Sequence, residues 1–346
     1  MKLRKLVTFF VAVSVMMFSV VAYGADDSLK IKDIGSFYVG GHEIVLEGLP
    51  AYDAVFTEGG PVRKVDPNGS FETGQMYVQY VQLKNAKAKY PVLLWHGGGL
   101  TGNTWETKAD GNPGWQMFFL KAGHNVYVSD AVERGRSSWS RYPEIYKSEP
   151  IFRTKKESWE SFRIGPTYDD DPSKRISHPG VLFPAESFDQ FMKSAVPRWI
   201  TNNQATQEAY DQLVQKVGPA VIVVHSQSGA FGARAALNAP DKVKAVVLIE
   251  PSGAPDPAKE NLALLKNIPH LYIWGDNVDK YPTWPKYYAN VARYRDALIE
   301  NGVPVTWIDL PKIGIKGNSH MLMMDKNSDQ IAEIIQKWLE SQNLMK

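Results

Sequence analysis

Residues 221–230 of this chain, VIVVHSQSGA, decide its fold. The four β-branched residues at 221–224 form a short apolar run, which is typical of a parallel strand with both faces buried. The run passes without a linker into Ser226, and an alanine-rich segment with helical spacing follows Gly229. We therefore predict a strand, a sharp turn that carries a serine, and a helix.

Strands and helices alternate in the same way on both sides of this stretch. Upstream, an apolar strand at 91–95 precedes a helix at 114–122 and a strand at 125–129. A helix at 203–216 is predicted just before the stretch, and the alanine-rich helix after it ends at Asn238. Further downstream, the patterns predict strands at 245–249, 270–274 and 303–310, and helices at 258–265, at 284–300 and from 327 or 328 onwards. Short links between such elements indicate βαβ units, and hence a mostly parallel sheet flanked by helices.

Antiparallel strands are expected to lead into this sheet. Residues 31–46 alternate around Gly40 and Gly41, which predicts a hairpin, and 75–83 form another β-rich run. The aromatic-rich residues from about 138 to 200 lack strand periodicity, and we predict that they form an insertion or cap. Their rings either pack a small core of the cap or line an apolar pocket, and both roles stay open for each ring.

The first 24 residues have the pattern of a cleaved secretory signal. A basic start with Lys2, Arg4 and Lys5 precedes an apolar run at 6–21, and small residues stand before Ala25. The apolar run is shorter than the roughly 18 to 20 residues of a spanning helix, so cleavage is favoured over a membrane anchor. We expect one domain over residues 25–346, in a periplasmic or secreted protein.

The composition excludes several kinds of binding partner and several kinds of catalytic or metal site. The chain has no cysteine, which excludes a disulfide framework, a thiolate metal site and a cysteine nucleophile, and which favours a bacterial periplasm for a secreted chain. Removal of three basic residues with the signal changes the formal net charge from +2 to −1. No basic patch for nucleic acid or an anionic membrane is indicated, so the expected partner is a small molecule. Residues 169–171 (DDD) fit a solvated turn, and no metal or cofactor is predicted.

Two serines compete for the role of a nucleophile at the predicted turn. A nucleophile elbow usually has small residues two positions before and two positions after its serine. Ser226 has Val224 in the first of these positions, whereas Ser228 fits the small-residue rule better. We prefer Ser226 because the apolar strand ends at Val224 and because Gly229 and Gly232 then lie in the first helical turns. A serine that only caps the helix is the alternative.

Glycines after an earlier strand predict an oxyanion hole. The sequence HGGG at 96–99 directly follows the strand at 91–95. Glycine gives backbone N–H groups the freedom and clearance to point at a developing negative charge. The predicted donors are the N–H of Gly98 or Gly99 and the N–H of Gln227, the residue after the serine.

An acid and a base follow the serine in the chain. Glu250 ends the strand at 245–249, where its carboxylate can orient a histidine, and Asp276 and Asp279 after the next strand are alternative acids. His320 lies between the last strand and the last helix, in the loop from which a base could reach the turn. Serine, acid and histidine in this order are typical of one class of hydrolase.

These strands and motifs resemble the α/β-hydrolase fold. More narrowly, they are similar to a group of bacterial serine esterases with an HSQSG elbow (225–229), a Glu-Pro pair after the next strand (250–251), a Gly-Asp turn followed by Pro and Trp (275–284) and GNSHM with further methionines (317–324). The likeness covers about the last 130 residues. It implies Ser226 as nucleophile, Glu250 as acid and His320 as base.

The resulting expectation is a secreted serine hydrolase that cleaves carboxylic esters through an acyl-enzyme, without a cofactor. Two alternatives remain open. The same triad could cleave a lactone, thioester or amide, because the triad alone does not select the bond. The same scaffold could also be a non-catalytic binding protein, because a fold does not secure a function.

Overall fold

The computed structural model describes residues 28–346, so the predicted signal segment lies outside the described residues. Within this range, ten strands form one eight-stranded sheet and a separate two-stranded ribbon. The strands are β1 Ile31–Leu46, β2 Tyr52–Ala54, β3 Arg63–Val65, β4 Gly69–Leu83, β5 Val92–Trp95, β6 Val126–Asp130, β7 Ala220–His225, β8 Val243–Ile249, β9 His270–Trp274 and β10 Val305–Asp309.

The large sheet has the order β1-β4-β6-β5-β7-β8-β9-β10. Strand β4 is antiparallel to both β1 and β6. The remaining strands of the sheet, β6, β5, β7, β8, β9 and β10, are parallel to one another. The predicted mostly parallel sheet is therefore confirmed. Strand β7 lies near its middle, and side chains at the carboxyl ends of β5, β7, β8 and β9 meet at one edge.

Helices cover both faces of the sheet. They are α1 Asn103–Glu106, α2 Trp115–Lys121, α3 Lys155–Ser161, α4 Phe188–Met192, α5 Asn203–Val217, α6 Ser228–Asn238, α7 Trp284–Glu300 and α8 Ser328–Ser341. Side chains of α2 and α8 pack in one core, and those of α5, α6 and α7 pack in the other. Val221 and Val223 point into the first core and Ile222 and Val224 into the second, as expected of a strand buried on both faces. Over residues 28–346, no helix combines the length and apolar character needed to cross a membrane.

Two local predictions are wrong. Residues 31–46 form one continuous strand rather than a hairpin, because they pair with β4 along their whole length and Gly40 and Gly41 adopt positive φ within the strand. Residues 258–265 form two short 3-10 turns, Pro257–Lys259 and Leu262–Leu265, instead of an α-helix. Leu262 and Leu265 are both buried, and their three-residue spacing suits a 3-10 turn.

The connection between β6 and α5 contains α3, α4 and short 3-10 turns. Most of its large rings are buried against one another, as in the contacts of Phe188 with Trp159 and of Phe191 with Phe183. Trp139, Tyr142 and Phe152 are exposed. The aromatic residues therefore form mainly a small core, the first of the two predicted roles.

Candidate active site

Ser226 lies in a sharp turn between β7 and α6. Its φ of +53° is a left-handed conformation that residues other than glycine rarely adopt. The turn is fixed by the Ser226 N–H, which donates to the carbonyl of Ile249 at 3.0 Å, and by the Ser226 carbonyl, which accepts from the N–H groups of Gly229 and Ser252. Ser226 is half-buried and lines a cavity of about 350 Å³.

Two glycines of α6 allow close packing at the turn, and Gly232 compensates for the bulky residue at position 224. A Cβ on Gly232 would lie 2.8 Å from Cγ1 of Val224, and a Cβ on Gly229 would lie 2.4 Å from Cβ of Pro251. Both distances are too short for a real side chain without a shift of the backbone. The strand and helix therefore pack closely although Val224 replaces the usual small residue.

Ser228 points away from the cavity. Its side chain is 2% exposed, and its Oγ donates a hydrogen bond of 2.5 Å to the carbonyl of His96. This bond ties the first turn of α6 to the loop after β5. Of the two candidate serines, only Ser226 lines the cavity.

His320 and Glu250 meet beside Ser226. The Nδ1 atom of His320 lies 3.2 Å from Oε2 of Glu250, which leaves Nε2 as the ring nitrogen for the cavity that His320 lines. The imidazole packs between rings, with its centroid 4.1 Å from that of Trp284 and 5.6 Å from that of Phe162. The His320 N–H donates to the carbonyl of Phe162. Packing and hydrogen bonds thus fix both the position and the orientation of the ring.

A buried arginine that no sequence motif marks holds Glu250. Arg163 follows α3, and its Nη1 and Nη2 atoms donate to the two carboxylate oxygens of Glu250 at 2.9 and 2.7 Å. Both side chains are 0% exposed. The Gly275 N–H also donates to Glu250, and Arg163 Nε donates to the carbonyl of Asp276. The carboxylate therefore has a fixed orientation toward His320.

Burial favours the neutral form of both histidines of the site. Burial, followed by the positive charges of Arg163 and Arg153, lowers the pKa of His320 well below its usual value of 6.5. Burial and the neighbouring His320 likewise lower the pKa of His225. The Nε2 atom of His225 contacts the carbonyl of His320 at 3.0 Å, so His225 supports the loop that carries His320.

The two alternative acids lie elsewhere. Asp276 accepts hydrogen bonds from the N–H groups of Gly317 and Asn277, and thereby ties the loop after β9 to the segment before His320. The side chain of Asp279 is 73% exposed and pairs with Lys280. The structure brings Glu250 to Nδ1 of His320, and it brings neither aspartate there.

The predicted oxyanion residues flank the turn. Gly98 and Gln227 line the cavity, and their N–H groups form no hydrogen bond within the described part of the chain. Gly99 has a φ of +73°, does not line the cavity, and accepts from Val196 through its carbonyl. Gly98 and Gln227 are therefore the better placed pair of donors.

Most other cavity residues come from segments without a recognised motif. The connection between β6 and α5 supplies Arg153, Glu157, Ser161, Phe162 and Arg198, and the loop and helix after β9 supply Tyr281, Thr283, Trp284 and Tyr287. Sequence patterns give no signal for these residues, because irregular segments have no periodicity that places a side chain at the sheet edge. Among residues 28–346, no group of three or more His, Asp or Glu side chains is arranged to hold a metal ion.

Comparison with known proteins identifies the family of the chain. A model of the α/β-hydrolase fold matches residues 90–301, more than half of the chain. The chain belongs to the α/β-hydrolase fold family.

Two relatives of this α/β-hydrolase have names that refer to lipase or esterase activity. A probable secreted lipase, phiG, of Fungal sp. (strain ATCC 74256) is 29% identical over 338 residues, which cover 79% of the chain and 88% of the relative. A solved structure described as a novel bacterial esterase is 32% identical, with a TM-score of 0.79 over 91% of the chain and 97% of that structure. The structural likeness to the esterase extends well beyond the family segment.

Proposed function

We propose that this α/β-hydrolase cleaves carboxylic esters through an acyl-enzyme formed on Ser226. One observation carries the proposal: Ser226 and His320 line the same cavity, and Glu250 contacts the far nitrogen of the His320 ring. Serine, base and orienting acid in this arrangement are the requirements of nucleophilic acyl transfer. The names of the two relatives, a lipase and an esterase, favour an ester over a lactone, thioester or amide.

In the proposed reaction, Ser226 Oγ attacks the ester carbonyl while Nε2 of His320 takes the hydroxyl proton. The imidazolium that forms is stabilised by Glu250 and gives its proton to the leaving alcohol as the C–O bond breaks. A water molecule, activated by the same nitrogen, then attacks the acyl-enzyme and releases the acid. No metal or organic cofactor takes part in this scheme.

The negative charge of the tetrahedral intermediate is assigned to two backbone donors. These are the N–H groups of Gln227 and Gly98, which line the cavity and are free for a new acceptor within residues 28–346. Gly99 is the less suitable of the two predicted glycines. Removal of one such donor in other enzymes costs about 10²- to 10³-fold in kcat.

The proposal extends to domain organisation and location. Residues from about 138 to 200 act as a cap, since five of the residues that line the cavity come from this segment. A cleaved signal at 1–24 directs residues 25–346 to the periplasm or the medium, which agrees with the word "secreted" in the name of the fungal relative. The proposed partner is a small-molecule ester.

A fluorophosphonate probe tests the proposal directly. The probe reacts covalently with activated serines, and peptide mapping should place a single adduct on Ser226. Ser228 is buried and hydrogen-bonded to His96, so it should stay unmodified. An adduct on Ser228 would contradict the assigned nucleophile, and a protein that is not labelled would favour the binding-protein alternative. Matched esters, lactones, thioesters and amides then identify the bond that is cleaved.

The pH dependence of the reaction tests the role of His320. The neutral imidazole is the base, and its lowered pKa keeps it neutral as the pH falls through 6.5. We therefore expect the acid limb of kcat/KM for a neutral ester to have its midpoint below pH 6.5, in conditions where circular dichroism shows folded protein. A midpoint at or above 6.5 would argue against His320 in this environment.

Asp325 is the control for this titration. Burial raises its pKa to about 7, and it accepts hydrogen bonds from Ser319, the neighbour of His320. The Asp325→Asn variant should keep the acid limb at the same pH. A limb near pH 7 that disappears in this variant would belong to Asp325.

A further inference from the structure

The cavity beside Ser226 carries more positive than negative charge. Arg153 and Arg198 line it together with one carboxylate, Glu157. Arg153 Nε lies 3.3 Å from Oε1 of Glu157, so these two charges compensate each other. Arg198 has no ion-pair partner among the residues that the structure describes. One guanidinium group is thus left uncompensated.

Arg198 lies next to the place where a substrate would react. A Cβ on Gly98 would be 2.2 Å from Nη1 of Arg198 and 2.8 Å from Oε1 of Gln227. The guanidinium group therefore lies against the α-carbon of Gly98, close to the side chain of Gln227, and these are the two residues assigned to the oxyanion. The carbonyl and N–H of Arg198 pair with Ile151, which fixes the backbone from which its side chain extends.

The positive charge of Arg198 acts on two neighbouring arginines. Burial, and then Arg198, lowers the pKa of Arg134 to about 10, and the same two causes lower the pKa of Arg153. The ring of Phe162 lies beneath the Arg153 guanidinium at 4.9 Å, so Arg153 is held close to its neighbours. An anion bound at Arg198 would relieve this repulsion between like charges.

We propose that the cavity selects esters that carry a carboxylate close to the scissile bond, and that Arg198 binds this carboxylate. A guanidinium group matches a carboxylate with two parallel hydrogen bonds, which a neutral ester lacks. The inference rests on the function proposed above and names its substrate class. The carboxylate belongs either to the acyl part or to the alcohol part of the ester, and matched substrates distinguish the two.

Two pairs of matched substrates test the inference. Monophenyl succinate carries the carboxylate on the acyl part, and phenyl 4-oxopentanoate is its neutral match. The compound 4-acetoxybenzoate carries it on the alcohol part, and 4-acetoxybenzamide is the neutral match. We expect the wild-type protein to prefer the charged member of at least one pair by about ten-fold or more in kcat/KM. The pair that shows the preference identifies the part that carries the charge.

Arg198→Gln should reduce this preference to about one, and Arg198→Lys, which keeps a positive charge, should retain part of it. Arg293→Gln changes an exposed arginine on α7, outside the cavity, and should keep the wild-type preference. If Arg198→Gln lowered kcat/KM equally for charged and neutral esters, the inference would be overturned. Arg198 would then stabilise the oxyanion or the fold. The ratio separates these roles because each rate is compared with its neutral match in the same variant.

Fluorophosphonate labelling of the same protein tests the esterase function separately from the preference for esters that carry a carboxylate. A labelled Ser226 without any preference for charged esters would overturn the inference and leave the esterase function standing. An unlabelled protein would overturn both. Added salt should weaken the preference in the wild-type protein, since the attraction between charges is screened.

Discussion

Replacement of Ser226 by alanine is expected to lower kcat for ester hydrolysis by about 10⁴- to 10⁶-fold, because the variant lacks the atom that forms the acyl-enzyme. The fold should be retained, since the turn at Ser226 is fixed by backbone hydrogen bonds to Ile249, Gly229 and Ser252 rather than by Oγ. The residual rate comes from the oxyanion donors and from substrate binding. Single-turnover and steady-state rates with a chromogenic ester measure the loss, and the thermal midpoint verifies folding.

Ser228→Ala is the matched control, two residues away in the same segment. It removes the hydrogen bond from Ser228 to the carbonyl of His96, whose loss should cost about 1 kcal/mol of the free energy of unfolding. Activity should fall far less than in Ser226→Ala, because the Ser228 side chain lies outside the cavity. The reverse ranking of the two variants would show that the nucleophile is Ser228.

The residues on regular elements could be placed from the sequence because periodicity and chain order restrict them strongly. The run of β-branched residues at 221–224 predicted a strand buried on both faces, and the parallel sheet then required its carboxyl edge to collect Ser226 and Glu250. Val224 stands where a nucleophile elbow usually has a small residue. It fits because Gly232 lacks a Cβ and so makes room for the valine methyl groups. Only the structure shows this compensation, because it depends on the distance between a strand and a helix.

Arg163, Arg153 and Arg198 could not be placed in the same way. They belong to the connection between β6 and α5, where no repeating pattern relates a residue to a position in space. The long strand β1 shows a related limit: Gly40 and Gly41 have the positive φ of a turn, yet pairing with β4 continues beyond them. Tertiary contacts decide the conformation in both cases.

Glu250→Gln is expected to lower kcat by about 10³- to 10⁴-fold, the second largest effect. The glutamine oxygen would remain with Arg163, which needs an acceptor, and the amide NH₂ group would then face Nδ1 of His320. Because a donor in that place requires Nδ1 to accept, the ring proton moves to Nε2, and the nitrogen that should take the proton of Ser226 is blocked. The variant also leaves the buried charge of Arg163 unpaired, which should destabilise the fold by about 3 to 5 kcal/mol.

A double variant separates the loss of the acid from the loss of stability. Arg163→Met in the Glu250→Gln background removes the unpaired charge. Denaturant unfolding should therefore show that the double variant regains much of the free energy of unfolding that Glu250→Gln loses. Activity should stay low, because the N–H of Gly275 still requires the glutamine oxygen as its acceptor, so the amide NH₂ group still faces Nδ1 of His320. Activity that returned together with stability would mean that Glu250 serves only to neutralise Arg163. The two residues thus have different roles. Arg163 fixes the orientation of the Glu250 carboxylate, and that carboxylate fixes the tautomer of His320.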